Sequence, residues 1–259
     1  VDIQRYLNQL VNDGYAMSTI RKQYNLLTAY LRHAYSSGKI ANPIYMDVNL
    51  PSQSVIKRQP VKMETYTMTE QKRLLQVLEG LEHRSYGVVL LMLELGLRVG
   101  EALCITPGDI LWDRRAIRIG KTLVKLTEDR GATFVQDSAK SDSSNRTIPL
   151  STRAMATLEM LCSNVKSSDS YIFEDEDFPS LPFSYETVRY HLKIACEKAK
   201  VPYRGNHIFR HTFATNCYMR GCNVKLLSKL LGHANTTITY NIYIHLYGDE
   251  LEEMRGVLE

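Results

Sequence analysis

The side chains with the most chemistry to offer fall in one stretch, His207 to His245, which reads HIFRHTFATNCYMRGCNVKLLSKLLGHANTTITYNIYIH. His207 and Arg210 are three apart and leave one face of a helical turn, so both can reach one anion. His233 follows a glycine stop, and Tyr243 stands ten residues further on, in a polar stretch where Thr236 or Thr237 can cap a last short helix. A guanidinium binds a phosphate through two parallel charge-assisted hydrogen bonds, and a phenol attacks phosphorus once something takes its proton. Two imidazoles, a guanidinium and a phenol in this order therefore suit phosphoryl transfer. Singly they say little: with seven histidines and sixteen tyrosines in the chain, a lone helical His or Tyr is usually packing. The weight falls on the set.

The elements around these residues are legible from periodicity. Asn223 is an N-cap, Val224, Leu227, Leu230 and Leu231 form an apolar stripe, and Gly232 stops the helix just before His233. Upstream, Thr67 or Thr69 caps a helix with Leu74, Leu75 and Leu78 inward, and a second helix runs from Ser85 to Leu95 and stops at Gly96. The octet GLRVGEAL then sets Arg98 at the mouth of a short helix, near a positive N-terminus that also favours an anion. Glu101, three residues on and on the same face, reads as an orienting partner for Arg98 rather than a catalyst. Residues 116–150 change period. AIRIG, TLVKL, TFVQD and RTIPL are short β-rich runs separated by turns near Glu128–Gly131 and Ser141–Asn145, which predicts a small antiparallel sheet. Residues 151–163 and 184–199 supply further helices, the latter with Val188, Leu192, Ala195 and Ala199 inward. The fold class is mainly α with a small antiparallel β-sheet.

The N-terminal part is separate in character. Residues 2–12 form one helical stripe, and from Ser18, read as an N-cap, Ile20, Tyr24, Leu27, Leu31 and Ala34 form another that ends at Gly38. Arg21, Lys22, Arg32 and Lys39 lie beside that stripe with Thr19 and Tyr30, as a solvated face or as one able to meet phosphates. Residues 1–60 hold seven Lys/Arg against three Asp/Glu, so the whole net charge of +4 is N-terminal and points to a polyanion partner for that module. Residues 51–66, with Pro51, Pro60 and the Lys57-Arg58 pair and no periodicity, read as an interdomain linker. The 44% hydrophobic content is that of an ordinary globular chain, and GVVLLMLELGL is too short to span a bilayer, so no membrane partner is expected. Five cysteines, odd in number and without a C-x-x-C pair, read as free thiols in a reducing cytoplasm. A chain that opens on Val1 with no signal-like segment reads as a piece of a longer protein.

The motifs H-x-x-R-H-T-F-A, L-L-G-H-A and T-x-x-Y-N-I-Y-I-H together resemble the second signature of the tyrosine recombinases, the phage-integrase family. The spacing of ten from His233 to Tyr243 is similar to that of conjugative-transposon integrases in particular. The octet around Arg98 resembles the family's first signature, whose arginine is the other half of the phosphate clamp. Counting back from R-T-I-P, Lys140 matches the lysine of the turn between the second and third strands, although Asp142 stands where many relatives have a second lysine. S-G-K-I-A-N-P followed by V-N-L-P resembles the close of a core-binding domain. The resemblance thus implies a helical, SAM-like core-binding domain over residues 1–55, incomplete at its N-terminus, a linker over 56–66, and a mixed α/β catalytic domain with a C-terminal tail over 67–259.

It implies a chemistry as well. Tyr243 attacks a DNA phosphodiester to give a 3′-phosphotyrosyl link, with no ATP, metal or other cofactor. His207 is the candidate base, Lys140 donates a proton to the leaving 5′-oxygen, and Lys121 and Lys125 are the next candidates for that role. Arg98 and Arg210 hold the non-bridging oxygens and His233 hydrogen-bonds the same phosphate. Arg21, Lys22, Arg32, Lys57 and Arg58 are the expected DNA contacts. The implied partners are double-stranded DNA at specific sites, further copies of the chain engaged through the acidic tail DELEEMRGVLE, and accessory DNA-bending or directionality proteins, all in the bacterial cytoplasm. A type IB topoisomerase-like enzyme and a DNA-binding protein that has lost the reaction are the alternatives.

Overall fold

The structure, a computed structural model, describes residues 2–52, 65–81, 83–125, 133–137, 145–233, 235–237 and 239. The chain divides into two compact units, Val1–Met63 and Glu64–Glu259. In the first, helices α1 (Asp2–Asn12) and α2 (Met17–Ser36) and a 3-10 turn at Ile44–Asp47 close round Leu7, Leu10, Ile20 and Val48. The α2 stripe is buried at Ile20, Leu31 and Ala34, but its cap is not Ser18. The amides of Thr19 and Ile20 already bond the carbonyl of Ala16, so the helix begins two residues sooner and Ser18 lies inside it.

The second unit holds α3 (Met68–Gly80), α4 (Ser85–Leu95), α5 (Val99–Leu103), α6 (Thr152–Cys162), α7 (Tyr185–Ala199), α8 (His207–Met219) and α9 (Val224–Leu231). Between α5 and α6 lie the strands β1 (Ile110–Leu111), β2 (Ala116–Ile119), β3 (Lys121–Lys125), β4 (Thr133–Asp137) and β5 (Arg146–Pro149). Of the two candidate caps for α3, Thr67 takes the role: its hydroxyl accepts from the Glu70 amide and the Glu70 carboxylate accepts from the Thr67 amide. Helix α4 is apolar all round and sits at the centre of the core, with Val88, Val89, Leu91 and Met92 sealed from solvent. Tyr66, at the end of the stretch read as linker, is itself a core residue: it packs on Phe209 at 5.4 Å between ring centres, and its amide donates to the Thr212 hydroxyl.

The strands pair antiparallel but in two sheets rather than one. β1, β2 and β5 form the first, with Ile117 opposite Ile148, and β3 and β4 form a separate hairpin with Leu123 opposite Val135. The chain changes sheet at Gly120, and β1, only two residues long, carries no alternation that sequence could display. The hairpin is seated on α5 at Gly100, where an added Cβ would come within 2.8 Å of the Leu123 carbonyl and the Thr122 hydroxyl. The Tyr185 hydroxyl on α7 also donates to the Leu123 carbonyl, so the hairpin is pinned both to α5, which Arg98 caps, and to α7. No helix among the described residues is long and apolar enough to cross a membrane.

Candidate active site

The site is built at three helix ends. Helix α4 stops at Gly96, whose left-handed conformation (φ 64°) turns the chain so that Leu97 enters the core and Arg98 becomes the N-cap of α5. Glu101, in the first turn of α5, is 4% exposed. Its carboxylate accepts from the Arg98 backbone amide at 2.9 Å and from Arg98 Nη1 at 2.6 Å. Orienting Arg98, the role read for Glu101 from spacing, is what this geometry provides.

The sequence reading gave no role to Arg146. From the first position of β5 its guanidinium meets Glu101 through both nitrogens, Nη1 to Oε1 at 3.1 Å and Nη2 to Oε2 at 2.8 Å, and its Nε donates to the Leu230 carbonyl at 2.7 Å. Burial pushes the Glu101 carboxyl up, but the hydrogen bonds and charge of Arg146 and the charge of Arg98 outweigh it and hold the pKa down at about 2. Nothing local in the sequence marks it: a buried carboxylate needs a buried counter-charge, but the burial of Glu101 shows only in the structure.

Arg210 is 6% exposed and lies across the ends of two helices. Its Nη1 donates to the Gly96 carbonyl at 3.0 Å, its Nη2 donates to the Leu231 carbonyl, and it stands 4.0 Å from Glu101 Oε2. Arg98 and Arg210 thus converge on one carboxylate. His233 follows immediately after Gly232, the left-handed cap of α9. Its Nδ1 is 2.8 Å from the hydroxyl of the fully buried Thr239, and Asn235, rather than Thr236 or Thr237, supplies the next cap by accepting from the Thr237 amide at 2.8 Å. Burial, reinforced by the charges of Arg210, Arg98, His211 and Arg146, holds the His233 pKa down at about 4. The ring is therefore neutral at physiological pH.

That shift has a consequence for stability. The unfolded imidazole, with a pKa of about 6.5, binds a proton that the folded one refuses, so His233 costs no stability above that pH and lowers it as the pH falls toward 4. A His233→Gln variant should therefore lose less denaturation midpoint than the parent between pH 7 and pH 4.5. Parallel losses would show that the ring is not held neutral.

His207 is the first residue of α8, exposed, one turn before Arg210. Arg98, Arg210 and His233 are brought together round Glu101 and Arg146, and His207 shares the helix of Arg210. Lys140 and Tyr243 lie outside the described residues, as do Lys57 and Arg58. Of the substitutes named for Lys140, Lys121 forms an ion pair with Asp109 at 3.7 Å. Arg21, Lys22 and Arg32 are exposed on α2, with the Arg32 guanidinium 5.5 Å from the centre of the Tyr45 ring.

Three guanidiniums and a neutral imidazole are gathered round a buried carboxylate, on a mostly helical scaffold with a small antiparallel β part, an excess of positive charge that suits an anion. Residues 64–250 match the phage integrase family, and the chain belongs to that family, the tyrosine recombinases. It is 29% identical over 265 residues to a XerC-like tyrosine recombinase of Caldanaerobacter subterraneus subsp. tengcongensis, covering 95% of this chain and 67% of the relative. It is 26% identical over 270 residues to the transposase of transposon Tn916 from Enterococcus faecalis, covering 98% and 65%. The chain spans about two thirds of the length of these relatives. Its fold is similar to that of the Tn1549 transposon integrase, solved in complex with transposon right end DNA, with a TM-score of 0.79 and 20% identity over 99% of this chain and 83% of that one.

Proposed function

We propose that this chain is the recombining part of a site-specific DNA recombinase that cuts and rejoins strands through a 3′-phosphotyrosyl intermediate, for integration and excision of a mobile element. The observation that carries the reading is the convergence of Arg98 and Arg210 on Glu101, with the neutral His233 beside them. The cluster carries three arginines against one carboxylate, an excess of positive charge suited to a phosphodiester and more so to the transition state, in which negative charge builds on the non-bridging oxygens. In the tautomer whose Nδ1 accepts from the Thr239 hydroxyl, the neutral His233 ring carries its proton on Nε2 and can donate it in a hydrogen bond to a phosphate oxygen.

In this reading Tyr243 is the nucleophile and His207, exposed at the start of α8, takes its proton. The bond energy is kept in the phosphotyrosyl ester, and the released 5′-hydroxyl of a partner strand reverses the step. Lys140 protonates the departing 5′-oxygen, which leaves otherwise as a strongly basic alkoxide. Residues 1–55 serve as a core-binding domain that meets DNA through Arg21, Lys22 and Arg32, the linker over 56–66 adds Lys57 and Arg58, and residues 67–259 form the catalytic domain. The acidic tail from Asp249 to Glu259 joins copies of the chain on DNA, accessory DNA-bending or directionality proteins bias the outcome, and the protein works in the bacterial cytoplasm.

Suicide-substrate trapping tests the reading: a nicked duplex spanning the recombination site should give a covalent protein–DNA adduct and strand transfer between two sites. An adduct with only relaxation of supercoils would mean a topoisomerase, and no adduct would mean a DNA binder. The part played by Lys140 has its own control. A bridging 5′-sulfur leaves without a proton, so Lys140→Ala should cleave the sulfur substrate nearly as fast as the parent and ordinary DNA about 10²–10⁴ times more slowly. Equal defects on both substrates would give Lys140 a positioning role instead.

A further inference from the structure

The recombinase reading, on which this inference rests, uses Arg98, Arg210 and His233 directly and leaves unexplained a further buried cation of the cluster, Arg146. All three of its guanidinium nitrogens are committed to the protein: two to the Glu101 carboxylate at 3.1 and 2.8 Å, the third to the Leu230 carbonyl at 2.7 Å. Its side chain is 6% exposed. Such a group does not meet substrate. It does bind Glu101, which orients Arg98, and the end of α9, which leads into His233.

At Glu101 it fixes how the carboxylate is shared. A carboxylate can take a guanidinium in a two-pronged grip. Here that grip belongs to Arg146, so the Arg98 guanidinium reaches Glu101 through Nη1 alone and its side chain stays 38% exposed, and Arg210 stands off at 4.0 Å. Without Arg146 the buried negative charge would be undercompensated and would draw both of these arginines toward itself, away from a phosphate. At α9, Arg146 and Arg210 hold the carbonyls of two successive residues, Leu230 and Leu231, which the end of the helix leaves without intrahelical partners. The next two residues are Gly232 and His233. The β5 strand, Glu101 and the histidine-bearing helix end are thus tied through one side chain.

We propose that Arg146 is a positioning residue of the cleavage site: it holds Glu101 so that Arg98 and Arg210 face the phosphate, and it holds the end of α9 so that His233 does. The test compares the full-length parent with Arg146→Lys, Arg146→Met and the double variant Arg146→Met/Glu101→Gln. Single-turnover cleavage of a nicked suicide duplex spanning the recombination site, affinity for that duplex and thermal midpoint are read for each. A misplacement of about 1 Å costs about 10²-fold in rate, so both single variants should cleave about that much more slowly while affinity stays within a few-fold. Adding Glu101→Gln to Arg146→Met removes the charge that draws the two arginines inward, and cleavage should recover roughly tenfold over the single variant. A residue that only supports the fold would show no such recovery.

Arg146→Lys keeps the buried charge and serves if Arg146→Met does not fold. Parental cleavage by a folded single variant, a loss matched by loss of binding, a double variant slower than the single, or failure of both single variants to fold would each overturn the proposal. The parent separates this failure from that of the wider reading. No adduct from the parent sinks the recombinase assignment itself, whereas a parental adduct with unaffected variants sinks only the role of Arg146.

Discussion

Tyr243→Phe should bind recombination-site DNA as tightly as the parent and form no covalent adduct. The substitution removes one oxygen and keeps the ring, so packing is retained and only the nucleophile is lost. At a pKa of about 10 roughly one phenol in a thousand is ionised at pH 7, and attack on a diester needs a base and strong local positive charge. In the proposed mechanism the exposed His207 imidazole is that base, and Arg210, one turn along α8, belongs to the arginine cluster that supplies the charge. Tyr240→Phe and Tyr247→Phe are the controls and should keep the adduct. An adduct that survives in Tyr243→Phe and disappears in Tyr240→Phe would shift the register of the motif.

Arg210→Lys should lower cleavage by about 10²–10³-fold, the usual cost of removing one preorganised contact to a developing oxyanion, with affinity changed by a few-fold at most. The geometry explains why an ammonium cannot substitute. The Arg210 guanidinium spans from the Gly96 carbonyl at the end of α4 to the Leu231 carbonyl at the end of α9, and a single point charge cannot hold both and still present a planar edge to phosphate. Arg210→Lys should therefore also lower the thermal midpoint. Arg98→Lys should damage cleavage with a smaller loss of stability, because its side chain is 38% exposed against 8% for Arg210. Unchanged cleavage in Arg210→Lys would remove that residue from the site.

The helical parts of this fold were legible because their signals are local. The Asn223 cap, the apolar stripe and the Gly232 stop of α9 are all visible in ten residues, and the same holds for the Gly96 break before Arg98. The site residues could be named for the same reason: paired motifs at fixed spacings carry Arg98, His207, Arg210 and His233. What sequence hid is the long-range part. Arg146 is 45 residues from Glu101, and nothing within the R-T-I-P run shows that its arginine points into a core rather than to solvent. The division of the strands between two sheets is likewise set by pairing partners far apart in the chain, as is the burial of Tyr66 against Phe209 and Thr212. Polar residues that look alike in sequence also differ in use: Thr67 caps α3, whereas Asn235 takes the cap read for Thr236 or Thr237.

The most direct measurement is to trap the parent protein on a nicked suicide duplex, digest the adduct with protease, and sequence the peptide that retains the nucleotide. A single peptide is expected, joined through Tyr243 to a 3′-phosphate, with the freed strand ending in a 5′-hydroxyl. A link through another residue, a 5′-phosphoryl linkage, or no covalent product would contradict it.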